Sequence, residues 1–499
     1  MMRLLVVFVF VFAGLISFAQ EVTIHGSAPA FVGKHVYLHQ YTDYLSQGYE
    51  KLDNAIVDEY GKFELKAEFS EITETFIQIQ DKSGILYVDP KNNEYFAYFP
   101  DPRQTDYYHG KNAMLILDSL DKHDINTLII DFETRLDHFL HVGPYHDTND
   151  VDWNLAKIIF TAEGKQLLDG FKRECKKEYS EVENDYFHQY VQYSIAGYEL
   201  FAGGAEFFEF NKAAVFNSYI KNKPVLTNNA GYMYFLFDFY EKPFTMQGRQ
   251  NYLVTEDIIN NTASYSLLDT LLAENFFLQD KRIRELVIMK GILEEYHSGK
   301  YYKPNMIHIL DSVAIVSTFE ENAETAKNLR HLLTRLEPGY KAPDFLLTTT
   351  DGKTLTLDSV KGKYLYLDFF HTQSTPAISE KLLMPDLAEK YGEYIEFISI
   401  SLDESEDDLV AYLKQHPEFK WDFAHYKGDV SLLDDYDIRS LPSYFLIGPD
   451  GRIVDANALR PSPVSPGAEY STIDRTFWTI KERLKPKKKF NIGVKDVED

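Results

Sequence analysis

The chain has 499 residues, a formal charge of −26, 44% hydrophobic and 15% aromatic residues, and one cysteine. At roughly 150 residues per domain this is enough for about three domains, each able to bury a core, so pervasive disorder is excluded. The negative charge removes the electrostatic footprint of a nucleic-acid binder, and a single cysteine removes an internal disulfide, every cysteine-based zinc site and any intramolecular dithiol cycle.

Residues 1–19 run from basic Arg3 through an apolar stretch, Leu4 to Phe18, to small residues at Ser17 and Ala19. That order predicts a secretory signal cleaved after Ala19 and hence a periplasmic or otherwise exported protein. The alternative is an uncleaved anchor, for which about 15 apolar residues are short against a hydrocarbon core of ~30 Å. It would be the protein's sole membrane contact.

Residues 20–105 carry period-two runs with turn punctuation. Val22 and Ile24 alternate with Thr23, Phe63 and Leu65 with Glu64 and Lys66, and further runs are Val36-Tyr37-Leu38, Ala55-Ile56-Val57, Phe76 to Ile79 and Ile85 to Val88. Short, regularly spaced strands predict a small antiparallel β-sandwich. After Asp101-Pro102 the period becomes helical, as in Phe187, Tyr190, Val191, Ile195 and Tyr198, and residues 106–337 are predicted as a helical region. Cys175 falls in step with Leu167, Leu168 and Phe171, which predicts a buried apolar thiol rather than a reactive one.

Glu337-Pro338-Gly339 ends the helical pattern, and residues 338–486 alternate strand and helix, the signature of an open α/β sheet. Tyr364 to Phe370 and Ile395 to Ile400 read as buried strands, a helix runs through Leu387 and Tyr391, and a second surrounds Leu409 to Leu413. Tyr444 to Ile447 and Arg452 to Val454 flank a Gly448-Pro449-Asp450-Gly451 turn, and a last helix spans about Ser471 to Leu484. Residues 487–499 form a charged tail. The fold class is therefore multidomain α+β: a β-sandwich, a helical middle and a C-terminal α/β domain.

Four segments of that last domain carry a resemblance: Lys341-Ala342-Pro343-Asp344-Phe345, Asp351-Gly352-Lys353, Val360-Lys361-Gly362-Lys363, and Ile438 through Ile447 with its Leu441-Pro442. The domain resembles the thioredoxin-like envelope proteins related to thiol-disulfide oxidoreductases and thiol-specific antioxidant proteins, and the whole layout is similar to a multidomain group from Bacteroidetes envelopes. The resemblance implies a Cys-x-x-Cys pair opening the helix after the central strand, where the helix N-terminus lowers a thiol pKa. Without a gap, Ser374 stands at the first cysteine position and Ala377 at the second. Glu380 keeps its family place, while the helix proline is displaced, with Leu382 at its position and Pro385 later.

A serine hydroxyl cannot form the mixed disulfide of thiol exchange, and neither residue can pass through a sulfenic acid. Catalytic residues are therefore expected to be absent. His371 precedes Ser374 by three residues, but no acid is evident beside it and no Gly-x-Ser-x-Gly elbow surrounds the serine, so Ser374 is expected as a helix N-cap whose oxygen accepts backbone N–H groups. The resemblance also implies a cis Leu441-Pro442 bond facing Ser374. Ser374, Thr375, Pro376, Leu441 and Pro442 would then line a groove for an extended peptide or an envelope protein partner, or Pro442 only shapes its loop.

Other clusters carry less. His138, His141, His146 and Asp147 are interrupted by Gly143-Pro144 and match no zinc motif, and the run Asp403, Glu404, Glu406, Asp407 and Asp408 is spaced as a helix start, not as an EF-hand loop. No Walker or dinucleotide glycine loop occurs, so no cofactor is expected. The sequence thus points to a redox-inactive binding or scaffold module. The alternative is an oxidoreductase acting through Cys175 or an external thiol.

Overall fold

The computed structural model describes residues 19–103, 108–109, 112–141, 161–203, 208–245, 249–403, 405–463 and 471–485. The leader up to Phe18, His146, Asp147, Glu404 and the tail 487–499 lie outside the described residues. The chain divides into two compact units at Arg330/His331.

Among the described residues the first unit opens with ten strands: β1 (Gln20–Ser27), β2 (His35–Tyr41), β3 (Tyr49–Ile56), β4 (Lys62–Phe69), β5 (Thr73–Ile79), β6 (Lys82–Val88), β7 (Glu94–Tyr98), β8 (Tyr108–His109), β9 (Asn112–Ala113) and β10 (Ile116–Asp118). They form a four-stranded sheet in the order β10-β7-β1-β4 and a six-stranded sheet in the order β3-β2-β5-β6-β9-β8. Val22, Ile24, Leu65 and Tyr95 of the first sheet share one core with Val36, Leu38, Ile77, Ile79 and Leu86 of the second. That is what the alternation encoded: every second residue faces the opposite sheet. The sheets are not purely antiparallel as expected, because β1 and β7 pair in parallel; strand direction leaves no mark on a period-two pattern. Strands also continue to Asp118, past the expected change of period, since two- and three-residue strands are too short to show one.

Ten helices among the described residues follow: α1 (Ile125–His141), α2 (Ala162–Glu178), α3 (Asp185–Glu199), α4 (Phe208–Val215), α5 (Ala230–Phe239), α6 (Arg249–Asp257), α7 (Tyr265–Ala273), α8 (Lys281–Glu295), α9 (Lys303–Val316) and α10 (Glu320–Thr334). Their starts are chemically marked: Thr161, Asn184, Asn229, Ser264 and Asp280 each accept a backbone N–H of the first turn. Gly231 lets α5 approach α3, since a Cβ there would lie 2.8 Å from the Tyr190 carbonyl oxygen. Among the described residues no helix is long and apolar enough to cross a membrane.

Asn126 joins the helices to the six-stranded sheet. Among the described residues, β6 has no further strand partner on that edge beyond its single bridge to β9 at Ser83. There the Asn126 amide substitutes for one: its Oδ1 accepts from the Tyr87 N–H at 2.8 Å and its Nδ2 donates to the Tyr87 carbonyl at 2.8 Å. The side chain is 3% exposed.

The second unit contains β11 (Leu346–Thr348), β12 (Thr354–Thr356), β13 (Tyr364–Phe370), β14 (Ile395–Ser401), β15 (Asp422–His425), β16 (Ser443–Ile447) and β17 (Ile453–Asp455), with α11 (Thr375–Lys381), α12 (Met384–Tyr391), α13 (Glu406–Gln415), α14 (Val430–Asp435) and α15 (Ile473–Leu484). Its main sheet runs β15-β14-β13-β16-β17, parallel across β13, β14 and β15 and antiparallel across β13, β16 and β17. Both faces are covered, Leu367, Phe369 and Ile400 by one core and Tyr366, Phe397 and Leu446 by another, which explains why these strands read as continuous apolar runs. The single helix expected through Tyr391 is two, α11 and α12, with Pro385 in the first turn of the second, the place where a missing N–H costs nothing.

Asn126→Ala leaves both Tyr87 backbone groups buried without that partner. We expect a loss of about 2–4 kcal/mol from two such groups, read by urea unfolding, with faster hydrogen exchange at the Tyr87 amide. A change below about 0.5 kcal/mol, the level of ordinary surface substitutions, would contradict the bridging role.

Candidate functional site

The candidate site lies at the C-terminal ends of β13 and β14, the usual place for a ligand on an open α/β sheet. Ser374 caps α11 by position, but its hydroxyl makes no capping bond, contrary to expectation. The reason is local: Pro376 occupies the second helical position, so one of the two N–H groups that an N-cap oxygen can reach does not exist. Thr375 and Pro376 are exposed, and Ala377 is buried with Phe370, Leu409 and Phe423.

The Leu441-Pro442 bond is cis, as the resemblance implied. Register places it: Ser443 pairs with Phe369, so Leu441-Pro442 enters β16 at the end of β13 from which the Ser374 loop leaves. Both residues are half-buried. The fold thus brings Ser374, Thr375, Pro376, Leu441 and Pro442 to one end of one sheet. Cys175, by contrast, belongs to the first unit, where it is buried in the core with Leu168 and Phe171, and burial pushes its thiol up to about 11.

The expectation that no acid accompanies His371 is corrected. Asp403, fully buried, places Oδ1 2.8 Å from His371 Nδ1 and accepts there from the Thr372 N–H and hydroxyl at 2.9 and 2.8 Å. The Gln373 N–H donates to the same Nδ1 at 3.1 Å. Asp403 is itself fixed from behind by the Ser401 hydroxyl, which donates to Oδ2, and by His425 Nε2, 2.7 Å from the Asp403 carbonyl oxygen. His425 Nδ1 accepts from the Lys427 N–H, which leaves Nε2 as its donor. Asp403 therefore leaves the acidic run in which it was grouped, while Glu406, Asp407 and Asp408 do occupy the first turn of α13. His138 and His141 lie in the last turn of α1, with His141 on Asp137 at 3.0 Å.

Beneath the loop is a buried charge pair that the sequence reading missed. Asp368, central in β13, and Lys381, at the end of α11, are 0% and 1% exposed and form an ion pair. Lys381 Nζ also donates to Ser399 Oγ at 2.7 Å, Trp421 Nε1 donates to the same oxygen at 2.8 Å, and the Ser399 hydroxyl donates to Asp368 at 2.6 Å. Ser399 thus spends one donor and two acceptor positions, its full capacity. Nζ lies 4.0 Å from the Phe370 ring centre. Burial pulls the Lys381 ammonium below the usual lysine range, against the opposing pull of Asp368. A single aspartate in the apolar run Tyr364 to Phe370 was the signal available. Glu380, 5% exposed, faces elsewhere, accepting from the Ser462 N–H at 2.8 Å and from its hydroxyl.

Lys381→Met strands a buried carboxylate, and we expect a loss of about 3–5 kcal/mol in chemical denaturation. The double variant Asp368→Asn/Lys381→Met should recover most of it. Equal losses in the single and double variants would show that the pair does not act as a unit.

A family model described as the AhpC/TSA family matches residues 338–456. The thiol-disulfide oxidoreductase ResA of Bacillus cereus is 34% identical over 122 residues, 24% of this chain and 69% of that protein. ResA of Bacillus subtilis (strain 168) is 31% identical over 124 residues, 24% of this chain and 66% of that protein. A crystal structure described as a candidate thiol-disulfide oxidoreductase from Bacteroides vulgatus is 33% identical, covering 27% of this chain and 94% of its own, with a TM-score of 0.25. Through its C-terminal unit, the chain belongs to the thioredoxin-like AhpC/TSA family, to which the ResA thiol-disulfide oxidoreductases are similar.

Proposed function

We propose that the protein is an exported, redox-inactive member of this family whose C-terminal groove binds an extended peptide or an envelope protein partner. The observation that carries the reading is the pair of residues at the family's chemical position: Ser374 and Ala377 hold no sulfur, and the one thiol of the chain is buried in the other unit. Disulfide exchange requires a thiolate that attacks sulfur and a second thiol that resolves the mixed disulfide. The recognition surface does not require either. A backbone edge beside Leu441-Pro442 and the exposed Thr375-Pro376 turn suffice for strand addition, in which main-chain hydrogen bonds give affinity. In this reading residues 20–105 form a β-sandwich domain, 106–337 a helical domain and 338–486 the binding domain, delivered to the periplasm by the leader 1–19.

The similarity to ResA favours thiol-disulfide oxidoreduction, and the two readings separate cleanly in an insulin-reduction assay with dithiothreitol. We expect the natural chain to add nothing to the rate of dithiothreitol alone, and Ser374→Cys/Ala377→Cys to accelerate it at least tenfold. Turnover by the natural chain that disappears in Cys175→Ser would establish the oxidoreductase reading. The buried thiol should also resist alkylation by iodoacetamide in the folded protein and react once the chain is unfolded.

A further inference from the structure

The turn between β13 and α11 contains a ring nitrogen with two incompatible partners. His371 Nδ1 lies 2.8 Å from Asp403 Oδ1, and the Gln373 N–H donates to the same nitrogen at 3.1 Å. The Gln373 N–H needs a lone pair on Nδ1, whereas the Asp403 carboxylate needs a proton there. One nitrogen cannot offer both at once.

The oxygen across the contact is also oversubscribed. Asp403 Oδ1 receives the Thr372 N–H at 2.9 Å and the Thr372 hydroxyl at 2.8 Å, which fill its two lone pairs before any hydrogen on Nδ1 arrives. The carboxylate is held in place, because Oδ2 accepts from the Ser401 hydroxyl and the Asp403 N–H donates to Ser401 Oγ at 3.1 Å. His425 shows the uncontested arrangement: its Nδ1 accepts the N–H two residues on, from Lys427 at 3.0 Å, and its Nε2 has a separate partner in the Asp403 carbonyl.

Two sets of bonds are therefore open to the turn. With the hydrogen of the neutral ring on Nε2, Nδ1 takes the Gln373 N–H and Oδ1 keeps both Thr372 donors. A protonated ring carries hydrogen on both nitrogens, so Nδ1 donates to Asp403, displaces the Thr372 hydroxyl from Oδ1 and leaves the Gln373 N–H without that acceptor. The His371 side chain is 29% exposed, so the proton comes directly from solvent. The other charged and titratable groups around the contact are His425 of β15 behind Asp403, the Glu406 and Lys427 ion pair at 3.7 Å, the Asp368 and Lys381 pair beside Phe370, and Tyr412 of α13. Burial pushes the Tyr412 hydroxyl up to about 12, so it stays neutral throughout.

We propose that His371 is a proton-operated latch on the Ser374 turn, closed when neutral with the Gln373 N–H on Nδ1, and open when protonated with that N–H and the Thr372 hydroxyl released. These donors lie one and two residues before Ser374, so acid places a cationic ring and two unspent donors beside the groove. The latch acts on the loop of that groove but holds whatever the groove binds, and its test uses no partner.

The test is hydrogen–deuterium exchange of the full chain across pH 5–8, the range in which imidazole changes charge, read at the Gln373 amide by fragmentation mass spectrometry and corrected for the intrinsic pH dependence of exchange. From pH 8 to pH 5 we expect protection at Gln373 to fall about fivefold, the protection that one net hydrogen bond confers, while the β13 amides keep theirs. His371→Asn supplies an acceptor with no titrating proton, as in an Asx-turn, and should keep the amide protected at both ends of the range. His371→Phe supplies none and should leave it unprotected at both. Protection that does not change with pH in the natural chain, a change that persists in His371→Asn, or a parallel loss along β13 would overturn the proposal, the last by showing acid unfolding of the domain in place of a local release.

Discussion

The second unit is organised around a carboxylate that cannot be left alone. Asp368 sits in the middle of the central strand with apolar residues on both sides and no exposure. An ionised carboxylate there has to be paired and hydrogen-bonded, and Lys381 with Ser399 does both. Because Lys381 ends α11, the same pair holds that helix down on the sheet. The four residues from Ser374 to Ala377 begin the helix, so their position is a consequence of a contact made at its other end. The geometry of the site and the residues at its chemical position are therefore separate matters: the geometry follows from the Asp368 to Lys381 anchor, and Ser374 and Ala377 carry no sulfur.

This separation explains which parts of the site were legible in the sequence. Ser374, Ala377 and Leu441-Pro442 could be placed because they are defined by spacing along continuous segments, and the sheet brings them to one end as that spacing requires. Lys381 and Asp403 could not. Asp403 was grouped with Glu406, Asp407 and Asp408 because they are neighbours in sequence, yet it belongs to the end of β14 and turns inward to His371 and Thr372 while the others stay in the first turn of α13. Whether a charge at the end of a strand turns in or out is decided by what lies across the sheet, which a local pattern does not record.

The first unit shows the same division. Alternation in β1 and β4 reported the shared core, because burial on one face is a local property. The parallel pairing of β1 with β7 and the strands from Tyr108 to Asp118 were not legible, the first because strand direction is set by the connection between strands and the second because the strands are too short to show a period. Asn126 is a similar case. In the sequence it is one polar residue near the start of an amphipathic helix; in the fold it completes the hydrogen bonding of β6 in place of a strand.

Two buried carboxyl groups thus meet the same cost by different routes. Asp368 has its cation within the chain, so its charge is a fixed part of the fold and is unavailable to a ligand. Glu74 has tyrosine hydroxyls and an opening to a cavity instead, and burial shifts its ionisation to about 7. A phenol stabilises a carboxylate by a hydrogen bond but does not cancel its charge, whereas the charge of Asp368 is met by Lys381.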